Sequence, residues 1–171
     1  RRQRQMCIRD RIQPGRFAIL FAGEVEAVER SYRKAEPLCH ASLCDAVLLP
    51  HAEERLVPAI VEGAMRWPAP GDTLGVFQLS YAPTLLRAMD AALKEAYVEL
   101  VQLRLGDGLG GRAFALLWGE THDVEAALEY AEEVAFGGCA DGLSTSIIRN
   151  ADSEVIAAFS QGTRFFKGGR G

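Results

Sequence analysis

The chain has 171 residues, of which 49% are apolar and 25% are charged, and these proportions exclude a disordered chain and permit a packed core. No apolar run approaches the ~20 residues that a membrane-spanning helix needs. The net charge of -4 argues against a nucleic-acid-binding protein.

Residues 1–11 are predicted to be an adapter-derived artefact. The first ten residues back-translate, codon for codon, into a transposase adapter used to prepare sequencing libraries, and we therefore leave them out of the fold prediction. They contain four arginines and one aspartate, so the remainder carries a net charge near -7. The alternative is a genuine basic arm. With Cys7 set aside and no secretory segment, the odd set Cys39, Cys44 and Cys139 indicates free thiols in a reducing cytosol.

Two stretches of the chain repeat one another. The segment 15–24 recurs as 111–120, beginning with Gly-Arg and ending with Gly-Glu in both copies, at an offset of 96 residues. The segment 50–60 also matches 149–159, with alanine, an acidic residue and two apolar residues at corresponding positions, at an offset of 99 residues. A period this long indicates duplicated domains rather than a solenoid.

The second copy, residues 72–160, contains a complete set of elements. A strand at 73–79 precedes an amphipathic helix that Ser80 is predicted to cap and that ends near residue 96. Strands at 98–105 and 112–118 flank a glycine loop, and Thr121 is the predicted cap of the next helix. A strand at 143–148 and a short helix at 152–159 complete an order of βαββαβ plus one helix, which predicts helices packed on one antiparallel sheet.

The first copy, residues 12–64, begins at the third strand of this order. It keeps a strand, a helix that Pro37 is expected to kink or end, another strand and a closing helix. Residues 65–71 are the predicted linker and residues 161–171 a flexible tail. The predicted fold class is therefore α+β, with two tandem domains of ferredoxin-like βαββαβ order, the first truncated by roughly 35 N-terminal residues.

Three groups of residues carry a resemblance of this chain to one known protein family. They are Asp-Ala-Ala-Leu-Lys-Glu-Ala-Tyr-Val at 90–98, the glycine-rich stretch 104–114, and the Gly-Glu that is followed by Val-Glu in both copies. From residue 12 to about residue 160, the chain resembles the tandem-domain, trimer-forming shell proteins of bacterial microcompartments. The resemblance implies two bacterial microcompartment domains per chain and a flat, pseudo-hexagonal homotrimer. It also implies that these trimers tile with other microcompartment shell proteins in the bacterial cytoplasm.

The resemblance further implies that the loop between the second and third strands of each domain lines a central pore for small polar metabolites. These residues are Gln13, Pro14 and Gly15 in the first domain, and Gly106, Asp107, Gly108, Leu109 and Gly110 in the second. Glycine suits a crowded loop because it adopts positive φ angles and carries no side chain. Exposed N–H groups would attract anions and three copies of Asp107 would repel them, so the direction of selectivity stays open.

The same loop fits two other patterns. Gly106, Gly108 and Gly111 match the dinucleotide-binding G-x-G-x-x-G pattern, but that pattern must open a helix and a strand follows here, so we set it aside. A glycine-rich hairpin that only turns the chain is the other alternative.

Subunit-edge residues are also implied by the resemblance. Lys94 resembles the lysine that packs against its counterpart in a neighbouring tile, although a solvated lysine near a helix C-terminus is the alternative. Arg149 and Asn150 occupy the place of an Arg-Pro edge motif, with asparagine instead of proline. Pro50 and His51 stand there in the first domain, without the arginine, which indicates that the two domains meet different neighbours.

No pattern favours catalysis, a metal or a cofactor. Cys39, His40 and Cys44 lack a fourth zinc ligand, and free thiols at a helix end are the better interpretation. Some members of the resembled family hold an iron-sulfur cluster through pore-loop cysteines, and neither loop here contains a cysteine. His51 and His122 have no evident nucleophile beside them.

The sequence therefore predicts a structural and transport protein that is not an enzyme. The leading hypothesis is a homotrimeric shell tile with a pore. The alternative is a cytosolic sensor or regulatory protein that binds a small ligand between duplicated ferredoxin-like domains.

Overall fold

The computed structural model describes residues 6–13, 16–63, 71–106 and 109–159, and gives the backbone alone for residues 6–13. The strands are β1 (Met6–Gln13), β2 (Arg16–Ala22), β3 (Thr73–Leu79), β4 (Glu99–Arg104), β5 (Ala113–Gly119) and β6 (Ser144–Arg149). The helices are α1 (Val25–Cys39), α2 (Leu56–Glu62), α3 (Ala82–Glu95), α4 (Thr121–Phe136) and α5 (Ser153–Phe159). A short 3-10 turn covers His40–Ser42.

The second half of the chain forms a four-stranded antiparallel sheet in the order β4-β5-β3-β6. The central strand β3 pairs along nearly its whole length with β5 on one side and β6 on the other. All six predicted elements and the extra helix are present, with bounds within two residues of those expected from the apolar patterns. The predicted α+β domain with helices packed on one antiparallel sheet is confirmed for this half.

Strands β3, β4 and β5 are buried on both faces because apolar residues occupy consecutive positions in them. On one face, side chains such as Phe77 and Leu117 belong to the large core that α3 and α4 cover. On the other face, Leu74 and Leu116 lie under α5. At Gly75, a Cβ atom would lie 2.7 Å from Cγ1 of Val124, so glycine at this position lets α4 approach the sheet closely.

Two predicted helix caps are wrong. The residue before α3 is Tyr81 rather than Ser80, and the acceptor for the Thr84 N–H is the Asp45 carboxylate, at 2.8 Å, from the first half of the chain. Thr121 is the first residue of α4, and its hydroxyl lies 2.6 Å from the hydroxyl of Thr73. In both places a contact distant in sequence replaces the local cap that the pattern favours.

The first half is organised differently from the second. β1 and β2 form a two-stranded antiparallel sheet, so residues 6–10, which were left out of the fold prediction, are paired with β2. The helix α1 continues two residues past Pro37, which lies within it rather than ending it. Residues 43–49 have no regular structure, although a strand was predicted between α1 and α2. The corresponding strand of the second half, β6, pairs with β3, and among the described residues the first half has no counterpart of β3.

Residues 43–63, which we call the strap, attach the first half to the second. Leu56, Ala59 and Ile60 of α2 are buried in the same core as α3 and β4. The Leu103 N–H of β4 donates to the Gly63 carbonyl at 2.8 Å. Burial of one leucine and one isoleucine contributes on the order of 3–6 kcal/mol, whereas an exposed ion pair contributes about 0–1 kcal/mol. Apolar packing therefore holds the strap against the second half, and its polar contacts fix its position along α3.

The replacement Asp45→Ala is expected to lower the free energy of unfolding by about 1 kcal/mol, because it removes the side-chain acceptor at the N-terminus of α3. Urea denaturation followed by circular dichroism measures this loss. Asp141→Ala is the matched control, since Asp141 is exposed and its hydrogen bond to Ser80 uses the main-chain carbonyl. Equal losses in the two variants would contradict a capping role for Asp45.

Candidate functional site

The glycine loop between β4 and β5 has the backbone that its sequence predicts. Gly106, Gly110 and Gly111 have φ angles of 124°, 62° and 82°, which residues other than glycine rarely adopt. Leu109 is 39% exposed, and the Arg112 N–H donates to the Leu109 carbonyl at 3.2 Å. Asp107 and Gly108, the other predicted pore residues of this loop, lie outside the described residues.

The described residues on either side of the first predicted pore loop are Gln13 and Arg16. Gln13 ends β1, whereas Pro14 and Gly15 lie outside the described residues. Arg16, which begins β2, donates to the Ser80 carbonyl at 3.4 Å, and its guanidinium lies 5.3 Å from the centroid of the Tyr81 ring. Leu79 at the end of β3 pairs with Ala113 at the start of β5. The residues that follow the two predicted pore loops are therefore both next to residues 79–81.

A second group of predicted residues meets at the C-terminal end of α3. The Lys94 ammonium donates to Oδ2 of Asp90 at 2.7 Å and to the His51 carbonyl at 2.7 Å. The other oxygen of Asp90 accepts the Glu53 N–H at 2.7 Å. We call His51, Glu53, Asp90 and Lys94 the edge cluster. Two of the predicted edge residues, His51 and Lys94, are thus brought together, and Pro50 is exposed beside them.

Arg55 attaches the strap next to the edge cluster. Its guanidinium donates to the Leu93 carbonyl at 2.8 Å, to the Val98 carbonyl at 2.7 Å and to the Glu53 carboxylate at 2.8 Å. A cation at the C-terminus of a helix is favourable because the last carbonyls of the helix have no partners within it. Arg55 therefore holds the end of α3, and with it Lys94, against the strap.

The pKa of Glu53 is lowered from its ordinary value of 4.5. The hydrogen bond from Arg55 is the main cause, burial opposes it, and the positive charges of Arg55 and Lys94 lower the pKa further. Arg55 therefore keeps Glu53 ionised, and Glu53 in turn helps to orient the Arg55 guanidinium.

Arg149 and Asn150 are distant in sequence from the edge cluster, and the ion pair of Arg149 is with a residue outside it. The Arg149 guanidinium pairs with Glu125 on α4, beside a groove between α4 and β6 that Glu129 and Glu132 also line. Asn150 has a φ angle of 51° and is the one non-glycine residue in the left-handed region among the described residues. A proline ring fixes φ near -65°, so proline does not fit this backbone. The turn is therefore compatible with asparagine and incompatible with the proline of the resembled motif.

Sequence reasoning missed three residues that build the edge cluster and its attachment. No role was predicted from the sequence for Asp90, Glu53 or Arg55. The one available signal was weak: a charged residue on the otherwise apolar, buried stretch of α3 requires a partner. Which partner it has depends on how the strap packs.

Neither cysteine chemistry nor a membrane span is supported within the described residues. Cys39, Cys44 and Cys139 are free thiols, and no group of three or more His, Cys, Asp or Glu side chains in the described part of the chain could hold a metal ion. No described helix is long and apolar enough to cross a membrane.

Comparisons with known proteins identify the class of this fold. Residues 73–151 match the family model described as the BMC domain. The chain is 27% identical over 124 residues to the bacterial microcompartment shell protein PduT of Citrobacter freundii, a region covering 72% of this chain and 66% of that relative. The crystal structure of a microcompartment protein from Desulfitobacterium hafniense DCB superposes with a TM-score of 0.69 at 26% identity, over 82% of this chain and 77% of that one.

The second half of the chain therefore has the BMC fold. The relative is named as a microcompartment shell protein, and the solved neighbour as a microcompartment protein.

The lowered pKa of Glu53 predicts a pH-dependent contribution to stability. A carboxyl group whose pKa is lower in the folded state stabilises the fold above its unfolded-state pKa, and this stabilisation is lost as the pH falls through the folded-state pKa. The difference in unfolding free energy between the wild type and Glu53→Gln is expected to be constant above about pH 5.5 and to shrink below about pH 4.5. Urea denaturation at a series of pH values measures it. Glu54→Gln, at an exposed neighbour, is the control, and the same pH profile in both variants would refute the assignment.

Substitutions at Asn150 test the backbone of the predicted edge motif. Asn150→Gly is expected to be neutral or to stabilise by up to about 1 kcal/mol, because glycine adopts positive φ without strain. Asn150→Pro is expected to cost about 3 kcal/mol, because its ring cannot adopt this angle. Thermal denaturation ranks the three proteins. A proline variant as stable as the wild type would show that this turn does not require a positive φ.

Proposed function

We propose that this protein is a structural tile of a bacterial microcompartment shell. The observation that carries the proposal is the BMC domain at residues 73–151, which has a complete four-stranded sheet with helices on both faces. The relative PduT is named as a shell protein, and the solved neighbour as a microcompartment protein. The shell would lie in the bacterial cytoplasm, with other microcompartment shell proteins as partners.

The chain is proposed to carry two such domains in tandem, residues 12–64 and 72–160, so that three chains form a pseudo-hexagonal trimer. The repeat in the sequence supports this, and so does the shared order of strand and helix, β2 with α1 and β5 with α4. The first half also packs side by side with the second through α2 and β4. A head-to-tail contact between unlike faces generates a closed ring when it is repeated by rotation.

The two glycine loops are proposed to line a pore at the centre of this trimer. Gln13, Pro14 and Gly15 would come from one domain, and Gly106, Asp107, Gly108, Leu109 and Gly110 from the other. The proximity of Arg16 and Ala113 to residues 79–81 supports a common position for both loops. Backbone N–H groups at such a pore would favour small polar metabolites.

The outer edge of the tile is proposed to contain Lys94, Pro50 and His51 on one side, and Arg149 and Asn150 on another. Lys94 is 41% exposed, although it is anchored by Asp90 and His51. Arg149 is 58% exposed while it pairs with Glu125. Partly exposed, oriented charges are suited to contacts between tiles, since little side-chain freedom remains to be lost on association.

The decisive experiment is to determine which assembly the purified protein forms. Sedimentation velocity gives the oligomeric state, and negative-stain microscopy shows whether the oligomers grow into flat sheets or tubes. Trimers that tile are expected. A stable monomer or dimer that never forms sheets would contradict the shell function and favour the ligand-binding sensor.

Lys94→Met is expected to preserve the trimer and to abolish or strongly reduce sheet growth, because it removes the ammonium at the proposed edge and keeps the aliphatic stem. The concentration at which sheets appear in negative stain measures the effect. Lys34→Met removes an equally charged group from the exposed part of α1 and is the control. Equal sheet growth in Lys94→Met and the wild type would show that Lys94 is not an edge contact.

A further inference from the structure

Asp90 is the residue on which two separate attachments converge. Its side chain is 13% exposed, and each carboxylate oxygen has its own partner. Oδ1 accepts the main-chain N–H of Glu53 in the strap, at 2.7 Å, and Oδ2 accepts the Lys94 ammonium, also at 2.7 Å. One carboxylate therefore joins the strap of the first half to a lysine of the second half.

The strap also contacts Lys94 directly. The His51 carbonyl accepts a hydrogen bond from the Lys94 ammonium at 2.7 Å. An ammonium has three donors, and these two contacts use two of them. The third can reach an acceptor on a neighbouring molecule, for which a carbonyl or carboxylate oxygen is the matching chemistry.

These contacts make the orientation of Lys94 depend on the strap. If the strap is undocked, Asp90 loses the Glu53 N–H and Lys94 loses the His51 carbonyl. Lys94 then keeps a single i, i+4 ion pair on the helix surface, an interaction too weak to fix a long side chain. With the strap docked, two acceptors from different parts of the chain hold the ammonium in one position.

We propose that Asp90 is a positioning residue that makes edge-to-edge assembly depend on docking of the strap. This inference rests on the proposed shell function, because it assigns Lys94 to contacts between tiles. Its consequence is an order of events: a chain whose two halves have not docked does not present an oriented Lys94, and does not enter the shell.

Asp90→Asn isolates this role. The asparagine side chain has the same shape and its oxygen can still accept the Glu53 N–H, but it has no charge for Lys94. Asp45→Asn is the matched control, because Asp45 also links the strap to α3 through a carboxylate, at the opposite end of the helix and without contact to Lys94. Sheet growth and trimer content are measured for both variants well below their melting temperatures.

Asp90→Asn is expected to raise the protein concentration needed for sheet growth roughly tenfold, the change produced when one charge-assisted contact is lost, and to leave trimers intact. Asp45→Asn is expected to stay within about twofold of the wild type. In the Lys94→Met background, Asp90→Asn should have no further effect. Wild-type sheet growth in Asp90→Asn, or an equal loss in Asp45→Asn, would overturn the proposal.

A second measurement tests the positioning without any assembly. The chain has three lysines, so the side-chain ¹⁵Nζ signals can be assigned from Lys94→Met and Lys34→Met. The Lys94 signal is expected to be protected from solvent exchange in the wild type and in Asp45→Asn, and to be lost in Asp90→Asn. An unchanged signal in Asp90→Asn would refute the inference whether or not sheets form. If the signal is protected in the wild type and lost in Asp90→Asn, but the wild type forms no sheets, the shell function is refuted and the positioning of Lys94 by Asp90 stands.

Discussion

The helix α3 is held at both ends by one segment from the other half of the chain. Asp45 accepts an N–H at its first turn, and Arg55 donates to the carbonyl of Leu93 in its last turn. After Arg55, Leu56 and Ile60 of the strap are buried in the same core as α3. The helix therefore has its position fixed by residues that lie up to about forty positions earlier in the sequence, and the edge cluster exists because of this arrangement.

Apolar burial and polar contacts have separate roles in this arrangement. The leucine and isoleucine of α2 contribute most of the free energy that holds the strap, because desolvation of large side chains outweighs partly exposed ion pairs. The hydrogen bonds to Asp90, Lys94 and Arg55 contribute less, but they are directional. They decide where the Lys94 ammonium lies on the surface, and the proposed contact between tiles depends on that position.

The two proposed functional regions impose different requirements on the backbone. The β4–β5 loop requires positive φ at three glycines, and this is a constraint that the sequence itself reveals. The turn at Asn150 requires the same region of φ, yet asparagine signals it less clearly, and the resembled motif has proline there. The edge cluster has no residue with positive φ and depends on hydrogen bonds between the Asp90 and Lys94 side chains and main-chain groups of the strap.

The sequence by itself predicted the elements of the part of the chain that matches the BMC domain, residues 73–151. Alternation in the strands and the apolar stripes of α3 and α4 are local patterns, so the elements and their bounds could be read directly. The glycine loop and the choice of Lys94 and His51 also came from the sequence and its resemblance. Only the tertiary structure decided that Asp45 rather than Ser80 caps α3, that residues 43–49 form no strand, and that Asp90 joins Lys94 to Glu53. Each of these depends on a partner distant in the chain, and no local pattern records which distant groups become neighbours when the core closes.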